Sequence, residues 1–273
     1  MRGVTRPPLN LTGISEKIPK LKSSMQRINI SSLVKQLHHI GLKRGDVVMV
    51  HSSFKALGIE DPEEIILAFL ETLGESGTFL MPALSYLQKP YNVHDTNLTP
   101  SYVGFLSEYF RRRSETQRSV HPTHSVCGVG RLAQEWLDDH IQDHTPCGPH
   151  SPFNKLLHHR GKILMIGCGL EPNTTMHAIE EYIKPDYLFN PPIPYSITNA
   201  QGVTFEKVYI PHNFWEGRAI QRYDRVEGIL NKNGLSSGKL GNAKTYLIQA
   251  EALYQAALER MRLDPFYFID RVK

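Results

Sequence analysis

The stretch Asn173-Thr174-Thr175-Met176-His177-Ala178-Ile179-Glu180-Glu181 places an imidazole three residues before one carboxylate and four before a second. On a helix, residues three and four apart share a face. A carboxylate at Glu180 would then hydrogen-bond one ring nitrogen of His177, fix its tautomer and leave the other nitrogen free to take a proton. Glu181 is the alternative partner if the helix is rotated by a residue. The spacing taken alone fits a histidine that merely caps or packs equally well, so the case for chemistry needs the elements around it.

Those elements are legible. Lys162-Ile163-Leu164-Met165-Ile166 ends at Gly167 and reads as a buried strand, and after Pro172 either Asn173 or Thr174 can cap the helix carrying His177. Ser31 or Ser32 starts a helix through Ile40, closed by Gly41, and Val47 to Val50 is a strand that delivers His51-Ser52-Ser53 at its end. Asp61-Pro62-Glu63-Glu64 opens a helix that stops at Gly74, followed by a strand at Thr78 to Met81. Further on, the pattern predicts a helix from Thr99-Pro100, a strand from Ser125 to Val129 and a helix from Leu132 to about His140. A short helix behind Ser151-Pro152 completes the set. Strands and helices alternating at this spacing imply parallel β-α-β units: an α/β/α layered sandwich on a central, mostly parallel sheet with antiparallel edge strands. An edge strand is expected at Val203 to Ile210, and the longest helix from Ala243 to Met261 with Leu247 and Ala250 turned inward. Residues 1–29 show no periodicity and form an N-terminal arm; 30–273 read as one domain.

The 273 residues carry a formal charge of +4, a mild excess that suits an anionic ligand but is too small for a dedicated nucleic-acid binder. Apolar runs fall short of the ~18 residues of a membrane span, and the expected location is cytoplasmic. Cys127, Cys147 and Cys168 are odd in number and lack paired spacing, which argues for free thiols and against a zinc ribbon.

Six stretches in order carry a family resemblance: Val50 to Gly58, Gly77 to Ala83, Thr99 to Gly104, Arg118-Ser119-Val120-His121-Pro122-Thr123-His124-Ser125-Val126, Gly148 to Leu156, and Asn173 to Glu180. Together they resemble the aminoglycoside 3-N-acetyltransferase family of acetyl-CoA-dependent enzymes. The resemblance covers residues 31 to about 183 and implies the layered fold above, in keeping with the lack of an Arg/Gln-x-x-Gly-x-Gly/Ala pyrophosphate loop. It also implies acetyl-CoA as cosubstrate and transfer of its acetyl group to an amine.

On that chemistry, His177 is the expected base and Glu180 its orienting partner. His51, Ser52, Ser53 and Ser125 are expected along the pantetheine arm and thioester, since small hydroxyls and backbone N–H groups suit a neutral amide chain. Lys55 or Arg118 is expected at the CoA phosphates. His51, His121, His124 and His177 raise a metal question, but no cysteine pair or His-x-x-x-His helix supports it, and no metal is expected. Cys168 is read as packing rather than nucleophilic. The acceptor is an aminoglycoside or a neutral or anionic amino sugar, such as one on a nucleotide carrier, and a CoA-binding protein without turnover is the rival class. The expected partners are thus a small-molecule amine and CoA, without nucleic acid or membrane; a homodimer is compatible with the sequence.

Overall fold

The computed structural model describes residues 29–87 and 92–272. All but Asn29 of the N-terminal arm lies outside the described residues. In chain order the elements begin with helix α1 (Ile30–Ile40), strand β1 (Val47–Ser52), the single turn α2 (Phe54–Leu57), α3 (Pro62–Leu73) and β2 (Thr78–Pro82). A long excursion follows through β3 (His94–Asp95), α4 (Phe105–Arg111) and β4 (Gln117–Arg118) to β5 (Val126–Gly130), α5 (Ala133–Asp139), α6 (Pro152–His158) and β6 (Lys162–Ile166). The rest is α7 (Met176–Ile183), β7 (Ile193–Thr198), β8 (Thr204–Tyr209), the turn α8 (Phe214–Gly217), β9 (Ala219–Gln221), β10 (Leu235–Leu240), β11 (Ala243–Gln249), α9 (Ala250–Leu263) and β12 (Ile269–Arg271).

Seven strands form the main sheet in the order β10-β11-β6-β1-β2-β5-β4. Its centre, β6-β1-β2, is parallel, and every other pairing is antiparallel. The centre is apolar on both faces, as a covered sheet requires. Val48, Val50, Leu164 and Ile166 face a core with Leu33 and Leu37 of α1, Phe69 of α3 and Phe110 of α4. Met49, Ile163 and Met165 face Trp136 of α5, Phe153 of α6, Ile179 of α7 and Leu253 of α9. The layered α/β/α arrangement is the one expected.

Local signals hold where they are explicit. Asp61 caps α3 by accepting from the Glu63 N–H, and Ser151 caps α6 by accepting from Asn154. Several expectations need correction. Helix α1 is capped by Asn29, whose side chain accepts from the Ser32 N–H, rather than by Ser31 or Ser32. The helix expected from Thr99 begins only at Phe105, after Gly104 at φ 114°. Strand β5 runs antiparallel to β2, because the chain returns to the sheet through β4 at its edge and turns back instead of crossing over. The segment from Ala243 is strand β11, with Leu247 paired to Leu164, and the helix starts at Ala250. There the open edge of β6 decides: its unpaired N–H and C=O groups are covered by a strand, which a helix could not do. Strand β8 belongs to a separate three-stranded sheet, β3-β7-β8, and β9 pairs β12 apart from both.

The small sheet is latched to the main body at the loop after α5. Lys207 of β8 donates to the carbonyls of Ile141 and Asp143. Asp143, 4 % exposed, accepts from the His150 N–H at 3.1 Å, and burial pushes its carboxyl up to about 6. The folded protein therefore holds this proton more tightly than the unfolded chain, whose carboxyl titrates at 3.8. The resulting stability is complete below about pH 4 and is lost as the pH rises through about 6. Asp143→Asn should flatten this part of the stability profile, by on the order of 2 kcal/mol across that window, in urea unfolding measured at a series of pH values.

Candidate active site

Strands β1 and β6 lie side by side and parallel, with Ser52 opposite Ile166, so both chains leave the sheet at the same end. In layered sheets that end is where ligands gather. After β6 the chain must turn sharply across α2. Gly167 sits at φ 64°, and a Cβ there would lie 2.4 Å from the Cβ of Ala56. Asn173 then accepts from the Thr175 N–H and the Thr174 carbonyl from the His177 N–H, which winds the chain into α7 without a side-chain cap at Thr175.

Helix α7 is buried from Met176 to Glu181, and only its last turn, at Tyr182, reaches solvent. Met176, Ala178 and Ile179 enter the core, while Glu180 is 0 % exposed and His177 keeps 8 %. His177 Nδ1 lies 2.7 Å from Glu180 Oε2, and Tyr223 donates to the same oxygen at 2.7 Å. Tyr187 donates to Glu180 Oε1 at 2.8 Å. Burial and the Glu180 charge hold both phenols well above their ordinary value, so they stay donors. A buried carboxylate with three donors is satisfied. Nδ1 of His177 carries the proton given to Glu180, and Nε2 keeps its lone pair for work elsewhere.

Glu181 has a different task from the one considered for it. It accepts from the Thr145 hydroxyl, the Cys147 N–H at 2.7 Å and His212 Nε2 at 2.8 Å, and burial pushes its carboxyl up to about 7. Helix phase therefore gives Glu180 to His177 and Glu181 to His212.

His51 stands beside this cluster, 8 % exposed; burial, then the proximity of His177, push it down to about 3. With Ser52, Pro82, Val103, Cys168 and Thr174 it lines a cavity of about 260 Å³. Ser53 is half-buried and Lys55 exposed on α2. Cys168 packs against the core as expected, though it is only partly buried, in the cavity wall; burial pushes its thiol up to about 11, so it is no activated nucleophile.

Ser125 and Arg118, expected at the pantetheine arm and the CoA phosphates, are both engaged within the protein. Ser125 is 0 % exposed and donates to the Ala83 carbonyl. Arg118 donates to Ser125 Oγ and to the carbonyls of Thr96, Thr99 and Ala83. Burial lowers the guanidinium to about 10, which leaves it charged at neutral pH but tied to interior acceptors. It is a strut that joins β4 to the loop before α4.

Sequence reasoning missed Tyr187, Tyr223 and His212. Tyrosines 7 and 43 residues downstream of Glu180 carry no local signal. The histidines also group unexpectedly: the His177 ring centroid lies 4.8 Å from that of His212 and 6.0 Å from that of His124. Burial holds His124 and His212 well below their ordinary value, and so uncharged. His121 instead stacks on His140 at 5.0 Å.

An imidazole braced by a buried carboxylate, close to a slot that opens at the strand ends, is the arrangement that a general base requires. The model of the family described as aminoglycoside 3-N-acetyltransferase matches residues 49–262, and the chain belongs to that family, whose members are acyltransferases. It is 28 % identical over 247 residues to aminoglycoside N(3)-acetyltransferase IV of Salmonella sp., covering 88 % of this chain and 89 % of the relative. It is 31 % identical over 186 residues to aminoglycoside N(3)-acetyltransferase VII of Streptomyces paromomycinus, covering 60 % and 64 %. Among solved structures, a mutant of aminoglycoside acetyltransferase AAC(3)-IVa in complex with a gentamicin superposes with a TM-score of 0.75 at 28 % identity, over 88 % of this chain and 90 % of that one. AAC-IIIb in binary complex with CoASH shares the fold, with a TM-score of 0.73 at 24 % identity over 86 % and 96 %.

Two outcomes check the assignments made from geometry. Arg118→Lys should destabilise the protein by on the order of 3 kcal/mol, nearly as much as Arg118→Met, because an ammonium cannot reach four acceptors; denaturant titration of both variants measures it. Cys168 should react slowly with a disulfide reagent at pH 7.5, and Cys168→Ala should retain at least half of the acetyl-transfer rate.

Proposed function

We propose that the chain transfers the acetyl group of acetyl-CoA to an amino group of an aminoglycoside or a related amino sugar, with His177 as general base. The observation that carries this reading is the His177–Glu180–Tyr223 cluster, in which Nδ1 is locked at 2.7 Å from a buried carboxylate and Nε2 is left over. The relative in complex with a gentamicin supports the amine half of the reaction, and membership of an N-acetyltransferase family supports the acetyl half.

The amine must be uncharged at nitrogen to attack. As its lone pair forms the new C–N bond to the thioester carbon, its proton passes to His177 Nε2. The Glu180 carboxylate then faces an imidazolium and stabilises it. The tetrahedral intermediate collapses by breaking the C–S bond, the electron pair leaves on sulfur, and the imidazolium returns its proton to the thiolate. The pantetheine arm enters the cavity beside His51 and Ser52, where hydroxyl and backbone N–H groups can meet the oxyanion. Ser53 and Lys55, on the turn that follows β1, are the candidates to meet the outer part of the CoA molecule.

A second reading of the acceptor, a neutral or anionic amino sugar, is favoured by a specific observation. The carboxylates near His177 are already saturated: Glu180 by two tyrosines and His177, Glu181 by Thr145, Cys147 and His212. They have little capacity left for a polycation, and the chain is net +4. Cytoplasmic location belongs to this reading as well; no helix among the described residues is long and apolar enough to cross a membrane.

Acetylated product should accumulate when acetyl-CoA is mixed with a panel of kanamycin-like amines and uncharged or anionic amino sugars, and the preferred acceptor identifies the better reading. No product with any amine would leave a CoA-binding protein without turnover. His177→Ala should lower kcat by about 10²–10⁴. Glu180→Gln should lower kcat at least tenfold with KM for acetyl-CoA unchanged, since it disturbs the base and not the CoA path. Near-normal turnover of folded His177→Ala would overturn the assignment.

A further inference from the structure

His124, His177 and His212 come from three distant parts of the chain: the loop before β5, the first turn of α7 and the segment after β8. One ring nitrogen from each lies within 4.8 Å of those of the other two. Their ring centroids are 6.0, 5.2 and 4.8 Å apart. Three imidazoles on one tetrahedral ion, with bonds of about 2.0–2.1 Å, have centroids roughly 5 Å apart. The rings thus already stand near the separations a metal would impose, and sub-ångström to ångström shifts would close the nitrogen triangle.

Each ring is also held from outside the triangle. His177 Nδ1 lies 2.7 Å from Glu180 Oε2, His212 Nε2 lies 2.8 Å from Glu181 Oε1, and His124 Nδ1 lies 2.9 Å from Thr123 Oγ1. Carboxylates and hydroxyls on the far nitrogen of a histidine are what orient metal-ligating imidazoles and raise their basicity. An independent observation points the same way. His212 Nδ1 is buried and has no hydrogen-bond partner among the described residues, an unsatisfied lone pair that the fold otherwise leaves uncompensated. His124 and His177 each keep 8 % exposure, so the cluster is reachable.

We propose that His124, His177 and His212 form a binding site for a divalent transition-metal ion of the zinc class, and that its occupation excludes acetyl transfer. The donor set is all imidazole with no thiolate, which suits Zn²⁺, Co²⁺, Ni²⁺ or Cu²⁺ over Mg²⁺ or Ca²⁺. Three protein ligands leave a fourth position for water, as in zinc sites that are not purely structural. A coordinated His177 nitrogen has no lone pair for the amine's proton. This second half of the proposal rests on the acetyl-transfer reading; the site itself does not.

The test uses the full chain stripped with EDTA. Titration with Co²⁺ should produce the intense visible absorption of a low-coordinate site, saturating near one ion per chain, with Zn²⁺ displacing it. His124→Ala and His212→Ala should each abolish the band, while His39→Ala, at an exposed position of α1, keeps it. Circular dichroism identifies a variant that fails to fold, and His212→Gln then takes its place. Absence of the band, or a band that survives both substitutions, would overturn the site and leave the acetyl-transfer reading untouched. Zn²⁺ in slight excess over protein should also suppress product formation at least tenfold, with recovery on adding EDTA. The product is followed by chromatography, because free CoA thiol binds zinc. Full turnover with Zn²⁺ bound would remove the exclusion and, with it, the role of His177 as base.

Discussion

A single buried carboxylate organises the molecule. Glu180 has no contact with solvent, and such a charge is tolerated in a protein interior only when donors surround it. It finds three, and they tie together parts of the chain that sequence keeps apart: its own helix through His177, the loop after that helix through Tyr187, and the segment before β10 through Tyr223. The C-terminal third cannot move off the rest without taking the Tyr223 donor from that charge. The same hydrogen bonds that satisfy this charge orient His177, so under the proposed general-base role stability and reactivity are not separable at this point.

The sheet supplies the second constraint. Because β1 and β6 are parallel neighbours, the segment after Ser52 and the segment after Ile166 emerge together, and only small residues let them pass. A slot is left between them, with His51 on one wall and Thr174 on the other. The antiparallel strands on either side, β11 and β5, flank the parallel centre of the sheet.

Histidine clustering follows from the same geometry. Three imidazoles meet where β5, α7 and the small sheet converge, and burial keeps His124 and His212 uncharged. Two adjacent glutamates on α7 divide the work between two of those rings. Glu180 takes His177 and Glu181 takes His212, a division set by about one hundred degrees of helical rotation.

Much of this was legible in the amino-acid sequence. Explicit capping at Asp61 and Ser151, the glycine stops, the apolar runs at Val47 to Val50 and Lys162 to Ile166, and the three-residue step from His177 to Glu180 all act over a few residues, and local physics enforces them. What the tertiary structure alone decided acts over long separations. Ala243 to Gln249 became a strand because an open sheet edge needed hydrogen bonds, and Arg118 and Ser125 turned inward because loop carbonyls needed donors. Tyr187, Tyr223 and His212 reached α7 because a buried charge and a buried ring needed partners. Periodicity records which face of an element is apolar; it does not record which distant group will satisfy a buried polar atom, and that choice exists only once the chain has folded.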